Sequence, residues 1–274
     1  MSTDHQHHGE PDHGEAEHGH HHHGARVSTP AERELLTPFT DDLHAFLRAA
    51  LQGVTGPIVE VGAGDGVIAQ LLCDDGFDVV AIDGNEATAA AATEQGREVI
   101  HADWRSWDGG GNAPFAAALF TRSLHHIDPI EHATDQMARL VPGGLIVADE
   151  FGYELVDDAG AQLLVDGQAI ADAAGVGTKE PVAVADPVFA WEHRMEVEHE
   201  VTPSHRLLAA VENVADVLQS GNGRFIARML THGLDPTHPQ AAAVRDLLIA
   251  IEDARIAAGT LAPAGLRFVA RVRS

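Results

Sequence analysis

The chain has 274 residues, 45% of them hydrophobic, with 42 acidic against 17 basic side chains and a formal net charge of -25. Such a length supports one sizeable core with appended segments. The acid excess and the single lysine, Lys179, argue against a nucleic-acid substrate, because that binding draws on Lys and Arg set against phosphates.

In chain order, residues 1–24 hold nine of the 19 histidines and five acids among Gly and Gln, with no Lys or Arg. Too little apolar surface exists there for folding, so residues 1–27 are predicted to be a disordered tail. Its neutral imidazoles suit zinc, copper or nickel, which makes a divalent metal a possible partner of the tail; no activity is placed there. No stretch suits a signal peptide and no apolar run reaches membrane-spanning length, so the expectation is a cytoplasmic protein with no membrane partner. The sole cysteine, Cys73, follows Leu71 and Leu72 and reads as a small core residue.

Thr29-Pro30-Ala31-Glu32 fits a capping box with Pro at the first helical position. A second helix is predicted after Thr40, with Asp41 and Asp42 in its first turn and Leu43, Phe46, Leu47, Ala50 and Leu51 on one face. From residue 57 to about 150, five apolar runs alternate with helical stretches: Ile58–Val61, Val79–Ile82, Glu98–Ala102, Ala116–Phe120 and Leu145–Ala148. That alternation predicts an α/β fold, a doubly wound and mainly parallel sheet covered on both faces. Beyond Glu150 the spacing predicts a helix over 155–174, broken by Gly175, Gly177 and Pro181. Trp191–Val201 alternates with period two, which predicts a strand with Glu on one face and Trp191, His193, Met195 and His199 turned inward. A helix over 239–258 and a strand Leu266–Val272 close the chain.

Ligands of open α/β sheets bind beyond the carboxyl ends of the strands. There the first strand runs into Glu60-Val61-Gly62-Ala63-Gly64-Asp65-Gly66, whose glycines permit a tight turn and close approach of a ligand. A dinucleotide fingerprint needs Gly or Ala at position 67, which is Val67. Glu60, two residues before the first glycine, suits a ligand with an ammonium group and a sulfonium. Asp83 ends the second strand, where a carboxylate can accept both hydroxyls of a ribose. Asp103 ends the third, where with Trp104 it can bind an exocyclic amine and stack an adenine.

Those three motifs make residues 57–150 resemble the cofactor domain of class I S-adenosylmethionine-dependent methyltransferases, particularly the small-molecule group. Leu140-Val141-Pro142-Gly143-Gly144 resembles the family's turn before the fifth strand, and Phe120 to Ile127 its segment lining the transfer site. Ala116 departs from the family, which often has Asp there. The resemblance implies a seven-stranded sheet with a closing antiparallel strand and S-adenosylmethionine as cofactor. It implies cofactor contacts from Glu60, Gly62, Ala63, Gly64, Gly66, Asp83, Gly84, Ala102, Asp103, Trp104 and Thr121. The implied organisation is N-terminal helices and cofactor domain over 28–150, a substrate cover over 151–240, and a helix and strand over 241–274 completing the sheet.

The implied reaction is methyl transfer to a small molecule. The protein mainly aligns nucleophile, methyl and sulfur, and needs a general base only where the accepting atom carries a proton of high pKa. His125 and His126, just past the fourth strand, are placed for that base, or else one caps the next helix while the other packs. Arg122 suits a substrate carboxylate or one of the chain's many acids. His193 and His199 are lining residues of a partly apolar pocket, two ligands of a metal that takes its third from elsewhere, or core histidines, and the core reading is favoured; no resident metal site is predicted. Alternatives are another transfer from the same cofactor, such as aminopropyl transfer, and a non-catalytic cofactor- or metal-binding regulator.

Overall fold

A computed structural model of the chain describes residues 27–178 and 186–274, so the histidine-rich tail reading and Pro181 lie outside the described residues. The first helix, α1 (Pro30–Ala50), opens on a complete capping box. Thr29 Oγ1 accepts from Glu32 N at 3.2 Å, and Glu32 Oε2 accepts from Thr29 N at 2.7 Å. The predicted break at Thr40 does not occur. Leu35, Phe39, Leu43 and Leu47 form one buried stripe that carries the helix through Pro38, and Thr40 donates its hydroxyl back to Leu36 O at 3.3 Å.

The sheet alternates with helices as the apolar runs predict: β1 (Ile58–Val61), α2 (Val67–Asp74), β2 (Val79–Asp83), α3 (Glu86–Glu94), β3 (Ile100–His101), β4 (Ala117–Thr121), α4 (Ile130–Leu140) and β5 (Leu145–Phe151). These five strands are parallel. Two antiparallel strands, β6 (Ala215–Gly223) and β7 (Gly265–Val272), complete seven in the order β3-β2-β1-β4-β5-β7-β6. The order reverses between β1 and β4, which places a ligand crevice at their carboxyl ends. Strand alternation separates two layers. Ile58, Leu119, Val147 and Val269 face α1 and α2. Val59, Phe120, Ile146 and Phe268 face α4 and the helix α7 (Ser204–Val214).

Three further expectations are corrected. Trp191–Val201 is not a strand: α6 (Pro187–His193) continues into a π-helical turn over Arg194–Glu198. Asp186 caps α6 by accepting from Phe189 N at 3.0 Å and Pro187 occupies the first helical position. Residues 191 and 195 share a face at helical as well as at strand spacing, and Trp191 and Met195 are indeed both buried. His193 is exposed, so the inward histidine face does not form. Cys73 is also exposed, because α2 buries Ile68, Ala69 and Leu72 instead. Finally, β6 lies within the segment expected only to cover the site; as an edge strand with mostly exposed side chains and a bulge between Val217 and Gln219, it lacks the apolar alternation that marks a strand.

A second core lies over the carboxyl end of the sheet. It joins Leu35 and Phe39 of α1 to Phe151, Tyr153 and Trp191, and to side chains of α5 (Asp158–Ala173), α8 (Ile226–Thr231) and α9 (Ala241–Ala257). Among the described residues no helix is long and apolar enough to cross a membrane.

One carboxylate ties α9 to α8. Glu252 is buried and accepts from the backbone N–H groups of Phe225, Ile226 and Ala227 at 2.8, 2.9 and 2.7 Å. Burial pushes its pKa up, against those three bonds. Replacing it with alanine leaves three donors unpaired in the interior. Glu252→Ala is therefore expected to lower stability by about 3 kcal/mol, read as a drop in the denaturation midpoint, whereas Glu252→Gln retains an acceptor and loses less.

Candidate active site

The turn after β1 is built on glycine backbone. Gly62, Gly64 and Gly66 all have positive φ, at 69°, 58° and 70°. At Gly62 a side chain is excluded twice over, by that φ and by overlap with the Ser123 side chain. At Gly64 nothing lies within 4 Å of where a Cβ would stand, so the turn faces open space. Ala63 N bonds Ile82 O at 3.0 Å and Ser123 Oγ donates to Val61 O at 2.5 Å, which pins the turn to β2 on one side and to the end of β4 on the other.

Asp83 fixes the same turn. Its Oδ2 accepts from Gly64 N at 2.8 Å and its Oδ1 from Asn85 N at 2.8 Å. Each oxygen keeps a second acceptor position. Gly84, next to it, is exposed, and Ala102 N bonds Asp83 O at 3.0 Å, bringing the ends of β2 and β3 together. Asp103 is gripped by Arg105, whose Nε and second guanidinium nitrogen lie 3.0 and 2.7 Å from its two oxygens. The Arg105 hydrogen bonds hold its carboxyl below the usual aspartate range. Trp104 does not serve as the expected stacking platform. Its ring is buried in the core, donating Nε1–H to Ala133 O at 3.2 Å and meeting Phe120 edge-on at 5.8 Å. Apolar burial of an indole whose N–H finds a carbonyl outweighs its exposure at a strand end.

Glu60, in β1 two residues before the glycine turn, is wholly buried. Oε1 accepts from Thr121 Oγ1 at 2.9 Å, while Oε2 is buried with no hydrogen-bond partner in the described structure. Burial raises its pKa to about 7, against the lowering effects of the Thr121 hydroxyl, the Ala69 backbone N–H and the Arg122 charge. A buried carboxylate oxygen without a full hydrogen bond, two residues before an open glycine turn, is a feature that an ammonium-bearing ligand would complete, so the residues present fit S-adenosylmethionine.

The end of β4 carries the rest. Arg122, at φ 63°, bonds Asp149 twice, through its backbone N–H to Asp149 O at 2.7 Å and through its guanidinium to Asp149 Oδ2 at 2.8 Å. Glu150, the next residue of β5, points to the opposite face. Its Oε1 accepts from Ser123 N and Leu124 N at 3.0 and 2.8 Å, and its Oε2 lies 2.5 Å from His125 Nδ1. His125 is buried against the Phe151 ring at 4.8 Å, whereas His126 is exposed and its ring lies 4.1 Å from that of His125. Arg122 and His125 therefore meet acids on opposite faces of one strand. The sequence reading missed Glu150. The available signal was two consecutive acids, Asp149 and Glu150, ending an otherwise apolar strand.

A family model described as a methyltransferase domain matches residues 32–198. Among solved structures, phosphoethanolamine N-methyltransferase 2 of Haemonchus contortus, in complex with S-adenosyl-L-methionine, is similar at 13% identity and a TM-score of 0.55, over 89% of this chain and 56% of that one. This chain thus spans little more than half the length of that relative. The [4+2]-cyclase SpnF is similar at 17% identity and a TM-score of 0.50, over 91% and 98% of the two chains. The PH0226 protein of Pyrococcus horikoshii gives 14%, 0.50, 89% and 90% for the same quantities. At these identities the likeness is one of fold. No curated protein matches the chain. From the matched model, which covers more than half of its residues, the chain belongs to the methyltransferase-domain family, whose cofactor is S-adenosylmethionine.

Proposed function

We propose that this protein methylates a small molecule at an atom that carries a proton, with His125 as general base. The observation that supports this most is the buried His125–Glu150 pair beside the glycine cradle. S-adenosylmethionine, when bound, supplies an electrophilic methyl group on a sulfonium. Glu60 would receive its ammonium, Gly62 and Gly64 would allow its close approach, and the remaining acceptor positions of Asp83 would receive ribose hydroxyls. Ala102 and Asp103 lie at the adenine end, where Arg105 shares the Asp103 carboxylate.

Glu150 holds His125 Nδ1, which leaves Nε2 as the basic nitrogen and offsets the imidazolium charge once a proton is taken. Positioned proton transfer contributes about 10²–10⁴-fold, and alignment of the reacting atoms about 7–11 kcal/mol. The strongly acidic chain disfavours a polyanionic acceptor, which supports a small molecule in preference to nucleic acid.

The reading is tested by titration calorimetry with S-adenosylhomocysteine and, separately, NAD. S-adenosylhomocysteine is expected to bind saturably and NAD not to bind; Asp83→Ala is expected to weaken the former at least tenfold, since it removes the ribose acceptor and the Gly64 anchor together. With any acceptor found from a panel of phenols, acids and amines, His125→Ala is expected to lower kcat by about 10²–10⁴-fold while S-adenosylhomocysteine affinity stays unchanged. An equal loss of affinity would remove His125 from the chemistry.

Glu60 gives a pH-dependent prediction. In the ligand-free protein its pKa of about 7 lies above the ordinary 4.5, so between those values the folded state holds a proton that the unfolded state has lost. This contribution to stability therefore falls as pH rises through about 7. An ammonium needs the ionised form, so S-adenosylhomocysteine affinity is expected to fall as pH drops below about 7, approaching about tenfold per unit. Glu60→Gln is expected to flatten both profiles, raising the melting temperature of the ligand-free protein at pH 8 and weakening ligand binding there.

A further inference from the structure

On the other face of β5 lies a cavity that the methyl-transfer machinery described so far does not use. It has a volume of about 430 Å³ and is lined by Asp42, Asp149, Arg224, Asp253, Leu266 and Arg267, among others. A smaller recess shares Asp42, Asp149, Arg224 and Arg267 with it and adds Arg122, Glu150, Phe225 and Arg228. Four arginines thus converge on one place in a chain that has 17 basic residues and a net charge of -25.

We propose that this cavity anchors an anionic group of the methyl acceptor, a carboxylate or a phosphate; the assignment rests on the methyl-transfer reading above. Its walls come from the carboxyl end of β5, the start of β7, the end of β6, and α1, α8 and α9. Neither the glycine turn nor the ends of β2 and β3 line it, so it is separate from the residues assigned to the cofactor. Arg122 and Glu150, which precede and hold the His125 turn at the ends of β4 and β5, line the recess, so it adjoins the strand ends that carry His125.

The acids around the arginines act as braces. Asp149 bridges Arg122 and Arg267 at 2.8 and 2.6 Å, Asp42 takes another nitrogen of Arg267 at 2.7 Å, and Asp253 takes Arg224 at 2.7 Å. A guanidinium has five N–H donors, so these bonds fix the planes of Arg122, Arg224 and Arg267 without exhausting them. The Arg267 guanidinium is further stacked on the Phe46 ring at 5.0 Å. Fixed, parallel-edged guanidinium groups match the geometry of a carboxylate or phosphate. Arg122 supplies an independent sign. It holds a left-handed backbone that a side-chain-bearing residue rarely adopts, and such strain gathers where a side chain must be aimed.

The test uses the full chain labelled with ¹⁵N, reading the arginine Nε–H signals while benzoate, or its neutral analogue benzamide, is added at constant ionic strength and saturating S-adenosylhomocysteine. Benzoate is expected to shift the Arg224 and Arg267 signals saturably, benzamide to leave them in place, and Arg224→Gln to weaken benzoate at least tenfold with S-adenosylhomocysteine affinity held within twofold. Arg228→Gln repeats the comparison from α8 should Arg224→Gln fail to fold. The proposal is overturned if benzamide acts as benzoate does, or if neither produces a saturable shift. It is equally overturned if benzoate displaces S-adenosylhomocysteine and both affinities fall in the variants, because the cavity would then serve the cofactor's own carboxylate. Absence of S-adenosylhomocysteine binding would count against the methyl-transfer reading alone, since benzoate added to the ligand-free protein still reports on the arginines.

Discussion

The buried carboxylate of Glu150, at the end of β5, organises the turn that follows β4. A buried carboxyl group needs both oxygens hydrogen-bonded, and Ser123 N and Leu124 N serve Oε1 while His125 Nδ1 serves Oε2. The turn then has little freedom: Ser123 reaches back to Val61 O, and Gly62 must lack a side chain to accommodate it. Glycine turn, β4 terminus and β5 terminus are thereby one unit, and His125 inherits its position from it.

Strand alternation divides the work of Asp149 and Glu150. Successive side chains of β5 point to opposite faces, so one acid organises the histidine and the other the arginines. The row continues across the sheet, because Thr121 pairs with Asp149 and Asp149 with Arg267 in the strand register. Thr121 in turn holds Glu60. Glu60, Arg122, Arg267 and His125 are thus linked through neighbouring positions at a single sheet edge.

The cover over this edge is held by apolar packing and by a few buried polar ties. Phe151 of β5 stacks on Phe225 at 4.3 Å and also meets His125 edge-on, so the second core grows directly from the surroundings of His125. Glu252 caps the start of α8 from α9, and Trp191 of α6 donates to Tyr153 O at 3.0 Å. Arg224 and Arg228 flank Phe225 along the chain, so the packing that places the cover also places the two arginines it contributes to the cavity.

Much of the cofactor half was legible in the chain alone, because its signals are local. Apolar runs with helices between them, glycines in a tight turn and acids at strand ends each depend on residues within about ten positions, and backbone geometry acts at that range. The segment after Glu150 was less legible. Trp191 and Met195 satisfy strand and helix spacing alike, and β6 has an edge strand's weak pattern; only the packing of α6 onto Tyr153 and of β6 onto β7 decides between the possibilities. Trp104 looked like a ligand platform until its ring found Phe120 and Ala133 O. Glu150 is 25 residues from His125, and Arg267 is 118 from Asp149. The sequence by itself determined the parallel sheet, the glycine turn and the cofactor that fits it. Only the tertiary structure decided which acid meets the histidine and which meets the arginines, because charges far apart in the chain become neighbours only when the sheet register brings their strand ends together.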